Sequence, residues 1–342
     1  MRKLFFYIIR KKAKYLIFSA LSRDASRVMY DSTLLLKRKI SLLILLISAV
    51  IQTNAQQKAM YTQYMFNGLA LNPAYSAMDE ALTITSLFRQ QWVGLEGAPN
   101  TQTFSIHSPL KQSNTSLGAL IIRDQIGEVI TEKGAYFTLA QRVPVGDETY
   151  LAVGFNGGLS TFTADYSQNY AASPQSTNDP VFVDESELRA NFGMGVMYFT
   201  PKYYIGISSP HFYYRPLEAI SEIKSTTTYR PHFILQAGYL MNLGDQIKFK
   251  PNFIANYVNG SPLLMDFNAN FLISETIWLG ASYRSLDSFN ALAQIYVTPN
   301  IAVGYSYDFT STKISTVERG THEISLKFRL PVIGRNFPRC YF

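Results

Sequence analysis

The chain of 342 residues is almost without cysteine: Cys340, third from the end, is the only one. A lone thiol makes no internal disulfide, so a disulfide-built fold is excluded. Histidine is scarce too. His107, His211, His232 and His322 are scattered, and none stands at metal-ligand spacing from another His, a Cys or a carboxylate. No local motif such as G-x-S-x-G couples a nucleophile to a base, so the sequence carries no enzyme signature and implies no cofactor or metal. Asp184, Glu185 and Glu187 cluster, but in what reads as a solvated polar loop. No apolar run reaches the roughly 20 residues of a membrane-spanning helix. After Gln56 no stretch keeps a helical period beyond two turns.

The basic excess is confined to the start of the chain. The formal charge is +7, but residues 1–55 hold 11 Lys and Arg against 2 Asp and Glu, a net of +9. The remainder has 20 against 22, a net of −2, and so no basic stripe for nucleic acid. Lys37, Arg38 and Lys39 precede the apolar run Ile40–Ile51, and small residues follow up to Ala55. Residues 37–55 therefore read as a signal peptide cut after Ala55, before Gln56. Residues 1–36 are a basic extension that such a peptide does not need, and Met29 is the expected start. Sequencing the precursor's N-terminus checks that expectation.

What fills the rest is alternation. Ile301, Val303, Tyr305, Tyr307 and Phe309 fall on one face, Ala302, Gly304, Ser306 and Asp308 on the other. About 14 such segments follow one another, near 81–91, 101–109, 116–123, 133–143, 149–160, 189–200, 202–209, 229–241, 246–256, 261–273, 275–285, 287–297, 299–309 and 320–330. They are longer than the five or six residues of a typical soluble strand and match the roughly 9–11 of a tilted membrane-crossing strand. One face is Leu, Ile, Val, Phe and Tyr; the other is Gly, Ser, Asn and Gln with occasional charges. Tyr and Phe number 23 each, many near segment ends (Tyr198, Tyr239, Tyr257, Tyr283, Tyr296, Phe309), where membrane-interface girdles stand.

The expected fold is all-β: a transmembrane antiparallel β-barrel of the bacterial outer membrane, closed because an open edge in lipid leaves backbone polar groups unsatisfied. Short connections then belong to the periplasmic side. The longer ones belong outside: the stretch after Arg89, residues 124–132, 161–188 and 210–228. The barrel takes up 81–330, a short periplasmic or plug segment 56–80, and a C-terminal tail 331–342. In the tail, Phe342 competes with Phe328 of the last strand as an assembly signal.

The segment before the first strand reads YTQYMFNGLALNPAYSA, with three tyrosines and no charge. Asn72-Pro73 is expected to turn the chain into the first strand. Tyr61, Gln63, Tyr64, Met65 and Asn67, then Asn72, Pro73, Ala74 and Tyr75, then Arg89, Gln91, Trp92 and Gly97-Ala98-Pro99 with Thr101 form a specific series. With this series and the closing Thr321-His322-Glu323-Ile324-Ser325-Leu326, the chain closely resembles the PorP/SprF family over about residues 56–330. Ala77 departs from the family's usual glycine after NPAY.

The resemblance implies an outer-membrane component of the type IX secretion system and gliding motility. The partners it implies are periplasmic ring and peptidoglycan-linked components and a secreted surface protein or adhesin, beside the lipid bilayer. Tyr61–Tyr75 is then a plug or a docking surface, with Arg89, Gln91 and Trp92 at the outer end of the first strand, Trp92 as interface anchor or partner contact. From the residues alone, an outer-membrane channel or hydrophobic-substrate transporter is the competing reading.

Overall fold

The computed structural model describes residues 60–111, 113–166, 184–219, 230–332 and 341–342, with 213–219 described by backbone only. Fourteen strands follow in chain order. They are β1 (Ala81–Gln90), β2 (Asn100–Pro109), β3 (Thr115–Ile126), β4 (Ile130–Gly146), β5 (Thr149–Ala164), β6 (Glu185–Phe199) and β7 (Tyr203–Ala219). Then come β8 (His232–Tyr239, resuming after Leu240 as Met241–Asn242), β9 (Ile247–Val258), β10 (Leu264–Ile273), β11 (Ile277–Arg284), β12 (Ser288–Thr298), β13 (Ile301–Thr310) and β14 (Thr321–Pro331). Each pairs antiparallel with its chain neighbours, and β14 returns to β1 in a ladder running from Ala81↔Pro331 to Gln90↔His322. The barrel is closed and has no free edge.

The alternation turns the usual distribution inside out. On β13, Val303, Tyr305 and Phe309 are exposed while Ala302, Ser306 and Asp308 are buried. On β14, Ile324 and Leu326 are exposed while Glu323, Ser325, Lys327 and Arg329 are buried. In water such a surface would aggregate; a bilayer requires it, since every backbone group is satisfied within the closed ladder and the apolar side chains meet lipid. Among the described residues no helix is long and apolar enough to cross a membrane, so the strands are the crossing elements.

Both ends of the strand series lie at one end of the barrel, as an even count demands. At that turn end the connections are tight: Ser274 and Glu275, with φ of 49° and 55°, make the turn from β10 to β11. At the opposite, loop end the wall is uneven. β4, β5, β6 and β7 have 17, 16, 15 and 17 residues and rise past β11, which has 8. These long strands correct the expected loop at 124–132. β3 and β4 pair as far as Ile126↔Ile130, because their alternating side chains continue the ladder above the bilayer. Of the expected loops at 161–188 and 210–228, β5, β6 and β7 absorb the flanks, and 167–183 and 220–229 lie outside the described residues.

The aromatic belts hold with one correction. Tyr203 stacks on Tyr239 (6.4 Å, 4°) with Tyr198 beside it (6.1 Å) at the turn end. Tyr257, Tyr283, Phe289 and Phe309 are exposed at the loop end. Tyr296 instead shares the inward parity of Leu292 and Gln294 and packs on the buried cluster.

Candidate functional site in the barrel lumen

The inward face surrounds Met60–Asp79, which is folded as three short 3-10 turns: Tyr64–Phe66, Gly68–Ala70 and Pro73–Ala77. A chain with no helical period and a Pro makes short turns because each closes with few residues. Asn72 caps the third turn: its Oδ1 accepts from the Ala74 N–H (2.9 Å), and Pro73 stands at the first position, where its missing N–H is harmless. Ala77 is not among the residues with positive φ, so the usual glycine is not needed there. Tyr64, Met65, Phe66, Leu69, Leu71 and Tyr75 are buried in one cluster with Leu87, Leu120, Tyr136, Tyr204 and Trp278 from the strands. Here the inward face is apolar, and the segment covers it.

At the loop end the segment is held by charge. Glu323 accepts from the backbone N–H groups of Thr62 (3.0 Å) and Gln63 (2.7 Å), and Gln63 Nε2 donates to the Glu323 carbonyl (3.1 Å). Arg89 pairs with Glu323 (3.1 Å) and Asp308 (2.8 Å) and donates to Thr62 Oγ1 (3.1 Å). The Thr62 hydroxyl donates to Asp308 (2.8 Å). Arg284 pairs with Asp266 (3.1 Å) and donates to the Tyr61 carbonyl (3.2 Å). Charges this deeply buried persist only when paired and hydrogen-bonded.

Toward the turn end polar side chains and glycines take over. Asn67 bridges β2, donating to Thr103 Oγ1 and accepting from Ser105 Oγ, both at 3.1 Å. A Cβ on Gly154 would collide with the Pro73–Ala74 backbone, and one on Gly195 with the Asn72 side chain. The strand glycines thus admit the Asn72–Ala74 turn to the wall. Tyr75 meets His107 edge-on (5.7 Å, 77°), and its hydroxyl donates to the Phe342 carbonyl (2.7 Å). Phe342 is buried in the lumen beside Tyr204 (5.1 Å), whereas Phe328 faces outward on β14. Asp79 ends the segment in a salt bridge with Arg329 (2.6 Å), and Glu80 pairs with Arg142.

The structure gathers Tyr61, Gln63, Tyr64, Asn67, Asn72, Pro73, Ala74, Tyr75 and Arg89 within the lumen. Gln91 and Trp92 stand apart in the β1–β2 connection, where the Trp92 N–H donates to Thr321 Oγ1 (3.1 Å) and Trp92 has a φ of 44°. Gly94 and Gly97, with φ of 94° and 74°, shape the same connection. Thr62, Asp266, Arg284, Asp308 and Glu323 were not legible as partners in the sequence; the last four carried the signal of charge on a polar strand face near the loop end, and Thr62, uncharged and in the luminal segment, carried none. Of the acidic group at 184–187, Asp184 is exposed outside the strands, whereas Glu185 and Glu187 belong to β6, where Glu187 is buried and pairs with Arg189 (2.5 Å). Among the described residues no group of His, Cys, Asp and Glu is arranged to hold a metal.

A closed antiparallel wall, apolar outside and charged within, defines a β-barrel membrane protein of the outer-membrane type. Among solved structures, the CymD monoaromatic hydrocarbon channel overlays with a TM-score of 0.50 at 13% identity, over 78% of this chain and 93% of that one. The Ralstonia pickettii toluene transporter TbuX (TM-score 0.45, 10% identity, 77% and 93% covered) and the Acinetobacter baumannii outer membrane protein Omp33 (0.43, 9%, 74% and 100%) are also similar. At such identities the likeness is one of fold. A comparison with curated protein sequences gave no match. The chain belongs to the type IX secretion system membrane protein PorP/SprF family, which matches residues 53–328.

Proposed function

We propose that the protein is an outer-membrane component of the type IX secretion system that supports export or surface anchoring of a secreted protein through protein–protein contacts, without catalysis. The observation that carries this reading is that the chain's own Met60–Asp79 lies buried against the inward face, which leaves the two mouths as the working surfaces. The turn end is periplasmic in this reading and faces ring and peptidoglycan-linked components. The loop end, raised by β4–β7, faces a secreted adhesin or a gliding protein. Residues 37–55 deliver the chain to the outer membrane and are removed after Ala55.

The test is an affinity pull-down of the tagged protein from detergent-solubilised outer membrane, read by mass spectrometry beside a variant deleted for 61–75. Recovery of periplasmic ring components or a large secreted protein, lost with the deletion, is the expected result. A barrel recovered alone at full yield would favour the channel or transporter reading.

A further inference from the structure

Tyr341 and Phe342 are seated in the turn-end mouth, beyond the end of β14 at Pro331 and outside every strand. Two kinds of contact hold them. The first reads backbone: the Tyr341 carbonyl accepts from Lys250 Nζ (2.6 Å), and the Phe342 carbonyl accepts from the Tyr75 hydroxyl (2.7 Å). The second reads two aromatic rings. Lys248 Nζ stands 4.0 Å from the centre of the Tyr341 ring and donates to its hydroxyl (2.6 Å), which in turn donates to Glu275 Oε2 (3.1 Å). The Phe342 ring meets Tyr204 edge-on (5.1 Å, 70°).

The seat has a closed floor and a more open rim. Lys250 is fully buried on β9, and its ammonium lies 4.9 Å from the centre of the buried Trp278 ring of β11. A cation against an aromatic face gains most where water is excluded. Lys248 and Glu275, salt-bridged at the rim, keep part of their side chains in solvent. These contacts ask for two consecutive aromatic residues and their carbonyls, and for nothing else of the chain that brings them. The seat lies within residues 53–328, which the family matches, whereas its occupant lies beyond them. We propose that the turn-end mouth is a peptide socket for a pair of consecutive aromatic residues, that Tyr341-Phe342 is its resident occupant, and that a protein on the turn side bearing an exposed aromatic pair binds there by displacing it. The proposal rests on the reading of the mouths as working surfaces and gives one of them a ligand chemistry. Each contact the resident gives up is re-formed by the incoming pair, so the obstacle is the tether. A tethered segment acts at an effective concentration on the order of millimolar, and it weakens a competitor's apparent affinity by the fraction of sockets it leaves free. The tail therefore sets a threshold that weak partners do not pass.

The test uses the whole folded protein in detergent and a fluorescein-labelled Gly-Ser-Gly-Tyr-Phe peptide, read by fluorescence anisotropy, with Gly-Ser-Gly-Ala-Ala as the blank. Tyr341→Ala/Phe342→Ala empties the socket without altering a strand, and heat-modifiability gels confirm the barrel. Phe342→Ala alone takes its place if the double variant does not fold. The expected result is saturable binding of the aromatic peptide to the emptied variant and binding at least about tenfold weaker to the wild type, whose tail competes. Adding Tyr75→Phe to the emptied variant should weaken binding about fivefold, as the loss of one hydrogen bond implies. No saturable binding to the folded, emptied variant, or equal binding to it and to the wild type, would overturn the proposal. The readout needs no secretion component, so the socket and the secretion role can fail separately.

Discussion

Arg89 is 2% exposed and is the hub of the loop-end network, joining β1 to Asp308 of β13, Glu323 of β14 and Thr62 of the luminal segment. Removing one member of a buried ion pair strands the others. Arg89→Ala is expected to cost about 3–5 kcal/mol in urea unfolding from detergent micelles, whereas adding Glu323→Gln to it should restore part of the loss. A double variant as unstable as the sum of the singles would refute the coupling. Asp79 anchors the opposite end of the segment. Burial pushes its carboxyl up, but the hydrogen-bonded Arg329 guanidinium outweighs this and holds it below the usual carboxylate range. A depressed folded value means the anchor contributes fully above the unfolded value of about 4 and is lost as pH falls through the folded one. The wild-type thermal midpoint should therefore drop on acidification below about pH 4 more than that of Asp79→Asn, which starts lower at neutral pH. Arg89 was legible from its place in the series of residues that carries the family resemblance. Its acidic partners were not, since Asp308 and Glu323 lie more than 200 positions away and only barrel closure brings them near.

The strands are where sequence and structure agree best, and the reason is physical. An alternation of period two imposed by lipid on one side runs along every crossing strand, so each one carries its own signal. Phe155, 56% exposed in the middle of β5, belongs to the lipid face. Phe155→Arg is expected to cost about 2–4 kcal/mol and to lower the yield of folded barrel on heat-modifiability gels. Glycines on the inward face carry a second signal that sequence alone misreads as simple smallness. Gly154→Val would drive a side chain into the Pro73–Ala74 backbone. The barrel should survive while the segment is dislodged, so limited proteolysis should cut within 60–79 in the variant and spare the wild type. Unread in the sequence were the upper parts of β3–β7: above the bilayer the outward face turns polar, as in Arg123 and Lys133, and the lipid pattern stops there while hydrogen bonding continues.

For the molecule as a whole, a lumen occupied by its own chain predicts a near-silent protein in planar bilayers. The wild type is expected to show little conductance, and the 61–75 deletion to open steps of single channels, since its lumen loses both the apolar filling and the Thr62–Gln63 ties to Glu323. Equal conductance in the two proteins would mean that the segment does not block the pore. The sequence by itself determined the class of protein: all-β, closed, apolar outward, about 14 strands, because each strand writes its own alternation and lipid tolerates no open edge. It also marked the Tyr61–Tyr75 segment as distinctive, yet left it free to be plug or periplasmic rim. Only the tertiary structure decided that it lies in the lumen. That outcome depends on charges and glycines from strands far apart in the chain, which share one small volume only after β14 has paired with β1.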